Sequence, residues 1–176
     1  AYFGFEDKLY STSECLDLVK LYYSTDRIRC KADYPKQVID MDKYITEEER
    51  LERYFKTAIN FYDDIGVPLD YQEKIELQLP DLPVPIIGYI DLLYEDTIRD
   101  IKTTARTPSK VSEGHARQVS VYGKAKNCVP ILDYIVVTAK EEKVVSFTVE
   151  DVQKHIDTVE QVAFSIMQFL SYSNDK

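Results

Sequence analysis

Apolar residues recur at helical spacing over the first third of the chain and at every second position through its middle. This change of period sets out the elements. Residues 12–23, TSECLDLVKLYY, offer Thr12 and Ser13 as N-caps and space Cys15, Leu18, Val19 and Tyr22 for one helical face. A second helix is predicted from Thr46, where Thr46 and Glu49 form a capping box and acids fill the first turn. Its stripe is Leu51, Tyr54, Phe55, Ala58, Ile59 and Tyr62, and Gly66 ends it; the stretch before it, YPKQVIDMDKY, reads as irregular. Period two follows in 71–79, 85–94 and 97–104, which predicts three strands. Residues 112–127 form a helix capped by Ser112, and two further strands lie on either side of Glu141-Glu142. The last helix, 149–171, carries Val152, Ile156, Val159, Val162, Ala163, Ile166, Phe169 and Leu170. The order ααβββαββα predicts an α+β domain around a mixed sheet flanked by helices. At 176 residues a single domain is expected, with a helical part over 1–68, a sheet core over 70–149 and a closing helix over 150–172.

The stretch 88–104, GYIDLLYEDTIRDIKTT, departs from what a half-buried strand pair usually carries, because Asp91, Asp100 and Lys102 interrupt its apolar pattern. Antiparallel pairing around Glu95-Asp96 opposes residues whose numbers sum to 191, which sets Asp91 opposite Asp100. Lys102 shares their face, since strand side chains alternate. Two carboxylates with Cβ atoms about 5 Å apart repel by about 3 kcal/mol at an effective dielectric near 20. Three remedies exist: the pair shares a proton, a divalent cation binds both acids and a nearby carbonyl, or Lys102 neutralises one charge as a structural ion pair. If repulsion dominates, Asp91→Asn should stabilise the metal-free protein. Glu76, on the preceding strand, is a candidate third acid for the same face.

Charge adds a second asymmetry. The chain carries a net charge of −9, which argues against a polyanionic partner. Residues 99–126, however, hold seven Lys or Arg (Arg99, Lys102, Arg106, Lys110, Arg117, Lys124, Lys126) against Asp100 and Glu113. That basic run is either a solvated face or a phosphate-binding one. His115, Gln118 and Tyr122 fall at i, i+3 and i+7 of the same helix, a polar stripe where a core helix would be apolar.

Composition narrows the rest. Apolar and charged fractions of 44% and 30% are those of a globular protein. No apolar run reaches the roughly 18 residues of a membrane span, and AYFGFEDKLY has no secretory pattern, so a cytoplasmic protein without a membrane partner is expected. The absence of an initiator Met fits a piece of a longer protein. Cys15, Cys30 and Cys128 form no CxxC pair and read as reduced thiols, leaving no iron–sulfur signal.

Taken in order, Glu76 in IEL, GYID ending at Asp91, DIKTT holding Asp100 and Lys102, and QVSVY from Gln118 to Tyr122 resemble the PD-(D/E)XK nuclease superfamily, in particular its RecB-type and phage exonuclease branch. The resemblance runs from about residue 70 to 126 and implies a restriction-endonuclease-like core. It implies that Asp91 and Asp100, with Glu76 and the carbonyl of Ile101, hold Mg²⁺, for which Mn²⁺ would substitute. It further implies that Lys102 positions and deprotonates the attacking water and that Gln118 and Tyr122 line the site. Arg106, Lys110, His115 and Arg117 are candidate contacts to the DNA backbone. The histidine that many RecB-type relatives carry in an N-terminal helix has no counterpart here, since neither His115 nor His155 is so placed. The expected activity is a Mg²⁺-dependent DNA exonuclease of phage or bacterial recombination and repair, with recombination proteins or copies of itself as partners. An endonuclease acting on branched DNA or RNA, a non-catalytic nucleic-acid-binding relative and a soluble domain with a structural ion pair are the alternatives.

Overall fold

The computed structural model describes residues 3–5, 8–33 and 40–172, with side chains described from Tyr10 to Asp26 and from Asp40 to Tyr172. Five strands form one sheet in the order β3-β4-β5-β6-β7: β3 Asp70–Leu77, β4 Ile86–Leu93, β5 Thr97–Thr104, β6 Val129–Val137 and β7 Glu142–Thr148. β3 to β5 form an antiparallel meander, as the alternating stretches predict. The Val129 N–H donates to the Asp96 carbonyl at 2.9 Å, so β5 and β6 start side by side and run parallel. The sheet is therefore mixed. Two helices precede it, α1 Thr12–Asp33 and α2 Met41–Ile65; α3 Glu113–Lys126 joins β5 to β6, and α4 Val152–Tyr172 closes the chain. A short hairpin, β1 Phe3–Phe5 with β2 Lys8–Tyr10, stands before them and carries no turn signal that would predict it. No helix among the described residues is long and apolar enough to cross a membrane.

Contacts divide the chain into two compact units, Ala1–Gly66 with Ile135–Val144, and Val67–Tyr134 with Val145–Lys176. Within the first, α2 starts earlier than the capping box predicts. Asp40 is its N-cap and accepts the Lys43 N–H at 3.1 Å, while Thr46 Oγ1 donates to the Asp42 carbonyl inside the helix. Nothing in MDKYI opposes helix, so the earlier cap prevails. Gly66 ends α2 at φ 102° with its N–H on the Tyr62 carbonyl, as expected. Tyr23 rather than Tyr22 faces inward from α1: its ring stacks on Tyr44 at 4.7 Å, and Tyr22 is exposed. Residues 34–39, most of the predicted irregular stretch, and the side chain of Cys30 lie outside the described residues.

In the second unit α3 packs on β3, β4 and β5, and α4 packs on α3. Ser112 caps α3 by accepting the His115 N–H at 3.2 Å. Ala116, Val119, Val121 and Tyr122 on α3 are buried, as are Ile75, Leu77, Ile90 and Leu132 on the strands. The apolar stripe of α4 is less buried than its spacing predicts. Ile156 is buried, whereas Val162, Ile166, Phe169 and Leu170 are exposed.

Candidate active site

The β4–β5 register is the predicted one. Leu92 lies opposite Arg99 and Leu93 opposite Ile98, and the Tyr94 N–H closes the turn on the Thr97 carbonyl at 2.8 Å. Continuing that register brings Asp91 to Asp100. There a side chain enters the ladder: the Ile101 N–H donates to Asp91 Oδ2 at 2.8 Å. Antiparallel alternation counted from the Tyr94–Thr97 pair would aim that N–H at the Ile90 carbonyl. Asp91 Oδ1 accepts from Gln72 Nε2 at 2.8 Å. Gln72 reaches it from the facing position of β3, where its backbone is left-handed at φ 52°. Asp91 is thus half-buried and bonded through both oxygens.

Asp100 is held differently. It is 2% exposed, and Lys102 Nζ lies 2.6 Å from its Oδ2 on the shared face that alternation predicts. That oxygen is buried, and the Lys102 ammonium, at charge-assisted hydrogen-bond distance, is its polar partner among the described residues. Burial pushes the carboxyl above its ordinary range; Lys102 opposes this, Asp91 reinforces it, and His115 is close enough for its charge to act downward.

Glu76 does not join these residues. It lies opposite Ile87, four residues or about 13 Å along β4 from Asp91. There it is exposed and paired with Lys74 at 2.7 Å. The expectation of a third acid at the pair is corrected accordingly, because the β3–β4 register carries Glu76 past it. The acid that β3 turns inward is Glu73, on the side of Ile75 and Leu77, and Lys126 takes it. No group of three His, Cys, Asp or Glu able to hold a metal is assembled among the described residues. The two acids Asp91 and Asp100, with Lys102 on the second, offer carboxylate oxygens that suit a hard cation. Mg²⁺ commonly takes one or two carboxylates and fills the rest of its shell with water and phosphate.

Gln118 and Tyr122 come together, Nε2 donating to the phenol oxygen at 2.9 Å. The Tyr122 ring lies against Gly88, where a Cβ would come within 2.5 Å of Cε1. The glycine of GYID and the tyrosine of QVSVY are therefore one packing contact. Gly88 and Asp91 are three residues apart, so the tyrosine sits against the face opposite the one that bears Asp91. No hydrogen bond links Gln118 or Tyr122 to Asp91, Asp100 or Lys102 among the described residues. His115 Nδ1 lies 2.8 Å from the hydroxyl of the buried Tyr134, whose ring stands edge-on to Phe147.

Much of the basic run is neutralised within the fold. Arg99, Lys102 and Lys126 pair with Asp133, Asp100 and Glu73. Lys124 contacts Gln153, and Arg117 lies 3.9 Å from Glu113. Arg106 and Lys110, in the segment between β5 and α3, are exposed and enter no ion pair among the described residues. Cys15 and Cys128 are free, and burial pushes both thiols up. Asp133 and Ser146 carry a network that no local pattern announces. Arg99 Nη1 reaches both oxygens of the fully buried Asp133 at 2.9 and 2.8 Å, and Ser146 Oγ donates to it at 2.6 Å.

No protein family and no curated protein matches the sequence. Among solved structures, the chain is similar to the crystal structure of SSO0001 at 11% identity, covering 86% of this chain and 85% of that one with a TM-score of 0.47. It is also similar to a "Putative exonuclease" from Eubacterium rectale at 16% identity, covering 94% of this chain and 68% of the other with a TM-score of 0.49. Similarity this distant assigns no activity to the chain.

Proposed function

We propose that this chain is a divalent-metal-dependent nuclease that hydrolyses phosphodiester bonds in DNA from its ends, in recombination or repair. The observation that supports this reading is the buried Asp100 carboxylate, held by the Lys102 ammonium at 2.6 Å with Asp91 as the neighbouring acid. Asp91 and Asp100 would hold Mg²⁺ or Mn²⁺, with the Ile101 carbonyl as a further donor; Glu76 is outside this set. A cation bound there supplies Lewis acidity and offsets charge at the phosphate. The Lys102 ammonium holds and polarises the attacking water and shields the acids from each other. Gln118 fixes the Tyr122 hydroxyl, and Tyr122 supports β4 at Gly88. Arg106 and Lys110, with Arg117 and His115 on the first turns of α3, contact phosphates without reading sequence.

A second reading is favoured by the two hydrogen bonds of Asp91, which alone would make the acids and Lys102 a structural triad. End-labelled linear, closed circular and single-stranded DNA, incubated with and without Mg²⁺ or Mn²⁺ beside Lys102→Ala, separate the two. The nuclease reading expects metal-dependent cleavage, lowered about 10²- to 10⁴-fold by Lys102→Ala. Equal cleavage by the variant, or none by either protein, leaves the structural triad. Cleavage of closed circles would make the enzyme an endonuclease.

A further inference from the structure

Burial falls steeply across the sheet face that bears the acid pair. Ile98 and Asp100 on β5 are buried and Asp91 on β4 is half-buried, whereas Ile87 and Tyr89 on β4 are each 54% exposed. On β3 the same face presents Lys74 opposite Tyr89 and Glu76 opposite Ile87, both exposed. The acids therefore stand at the step between the covered and the open half of one face. Beyond Gln72, which hydrogen-bonds Asp91, Tyr89 is the next β4 residue on that face, two residues or roughly 7 Å along the strand from Asp91. A sheet that needed only solubility there would carry polar residues in place of an isoleucine and a tyrosine. The opposite face of the same strand is the packed one, with Gly88 and Ile90 against α3.

We propose that Tyr89 is a stacking platform for an unpaired nucleotide of the substrate, seated beside Asp91 on the open half of this face. The proposal rests on the nuclease reading and adds to it the substrate class: single-stranded or frayed ends. A tyrosine ring on a flat sheet can stack on a base whose faces are free, whereas bases inside a duplex are already stacked. Lys74 lies directly opposite Tyr89 on β3, its ammonium paired with Glu76 at 2.7 Å. Ile87 extends the apolar surface by one position on the same face. A nucleotide stacked on Tyr89 would reach the acid pair with its adjoining phosphate, since the two positions lie one nucleotide's span apart.

The chain contains no tryptophan, so Tyr89→Trp provides a single indole reporter at the platform. Titrating that variant with oligothymidylate in calcium buffer should quench its emission to saturation, while a blunt duplex of the same length quenches weakly. A labelled oligothymidylate, followed by anisotropy, should bind Tyr89→Phe as it binds the unaltered chain. It should bind Tyr89→Ala about 5- to 150-fold more weakly, with Tyr89→Thr as a second variant that keeps strand propensity. Unquenched emission with the oligonucleotide bound, or equal affinity of Tyr89→Ala and Tyr89→Phe, overturns the platform. Failure of the oligonucleotide to bind any of these proteins overturns it too. Metal-dependent cleavage by the unaltered chain then decides separately whether the nuclease reading survives.

Discussion

Asp100 and Asp133 are both buried, on neighbouring strands of one sheet, and the sheet treats them in opposite ways. Asp133 receives Arg99 on both oxygens and Ser146 on one, so that β5, β6 and β7 are tied through a single carboxylate. Asp100, the next residue after Arg99 and on the other face of β5, meets a single ammonium, Lys102, at 2.6 Å on its buried oxygen. Its cation, Lys102, is a point charge, whereas the Arg99 guanidinium offers a planar fork that matches a carboxylate. A buried acid that is fully bonded has spent its lone pairs on the fold. One with a single ion-pair partner has lone pairs left over, which the proposed cation would take. Burial alone would have ranked the two aspartates as equals, and only the accounting of partners tells a structural acid from one poised for a ligand.

The largest effect should come from the structural side. Asp133→Ala strands the mostly buried Arg99 guanidinium, and breaking such a pair costs about 3–5 kcal/mol. For a domain of this size that is a fall in Tm of about 6–20 °C. Thermal melts would show it with or without divalent cation. If Asp133→Ala melts like the unaltered protein but loses cleavage, the two aspartates have exchanged roles.

Divalent cation sharpens the other side. Mg²⁺ at a hundred times its Kd should raise stability by about 2.7 kcal/mol, and Asp100→Asn should abolish that rise. Calorimetry of the two proteins with and without Mg²⁺ measures it. An equal rise in Asp100→Asn would place the cation elsewhere.

What the sequence makes legible is what local geometry fixes. The turn at Glu95-Asp96 and the period of two set Leu93 opposite Ile98 and place Lys102 on the face of Asp100, and the structure has both. Glu76 was misplaced because the β3–β4 register depends on the connection between Leu77 and Ile86, whose length obeys no such rule. Gln78 binds the carbonyls of Leu79 and Leu82 within it. The Arg99–Asp133 pair was invisible for a related reason, since β6 is reached through all of α3 and no arithmetic carries a register across a helix. The charge count along one dimension left the role of the basic run open, because it cannot see that Asp133 and Glu73 arrive from other strands to pair with Arg99 and Lys126.

Asp91 stands between the two cases, and its substitution separates repulsion from bonding. Asp91→Ala leaves the Ile101 N–H without its acceptor, a loss of about 1–3 kcal/mol. Asp91→Asn keeps an oxygen for that N–H, and a flip of the Gln72 amide would let its oxygen accept from the new side-chain amide. The asparagine variant should therefore melt within about 0.5 kcal/mol of the unaltered protein. This moves the stabilisation expected from relieved repulsion away from Asp91. Urea denaturation of both variants tests it, and an asparagine variant as unstable as the alanine one would show that the charge itself holds β4 to β5.

The stabilisation belongs at Asp100, and pH reveals it. Its folded carboxyl is raised above the ordinary value, chiefly by burial, with Asp91 adding and Lys102 opposing. The folded state thus holds its proton to higher pH than the unfolded chain does. Stability from this source is fully present below the unfolded value of about 3.9 and is lost as pH rises through the folded one. Asp100→Asn is neutral throughout, so without divalent cation its advantage over the unaltered chain should be least near pH 4. It should grow toward neutrality, to an effect on the order of 0.5–1 kcal/mol. Asp133→Asn offers no such gain, because it gives up one oxygen of a carboxylate that three hydrogen bonds already use. Urea melts across this range in chelator would resolve the two curves, and an Asp100→Asn advantage that does not change with pH would mean that Asp100 is as settled in the fold as Asp133.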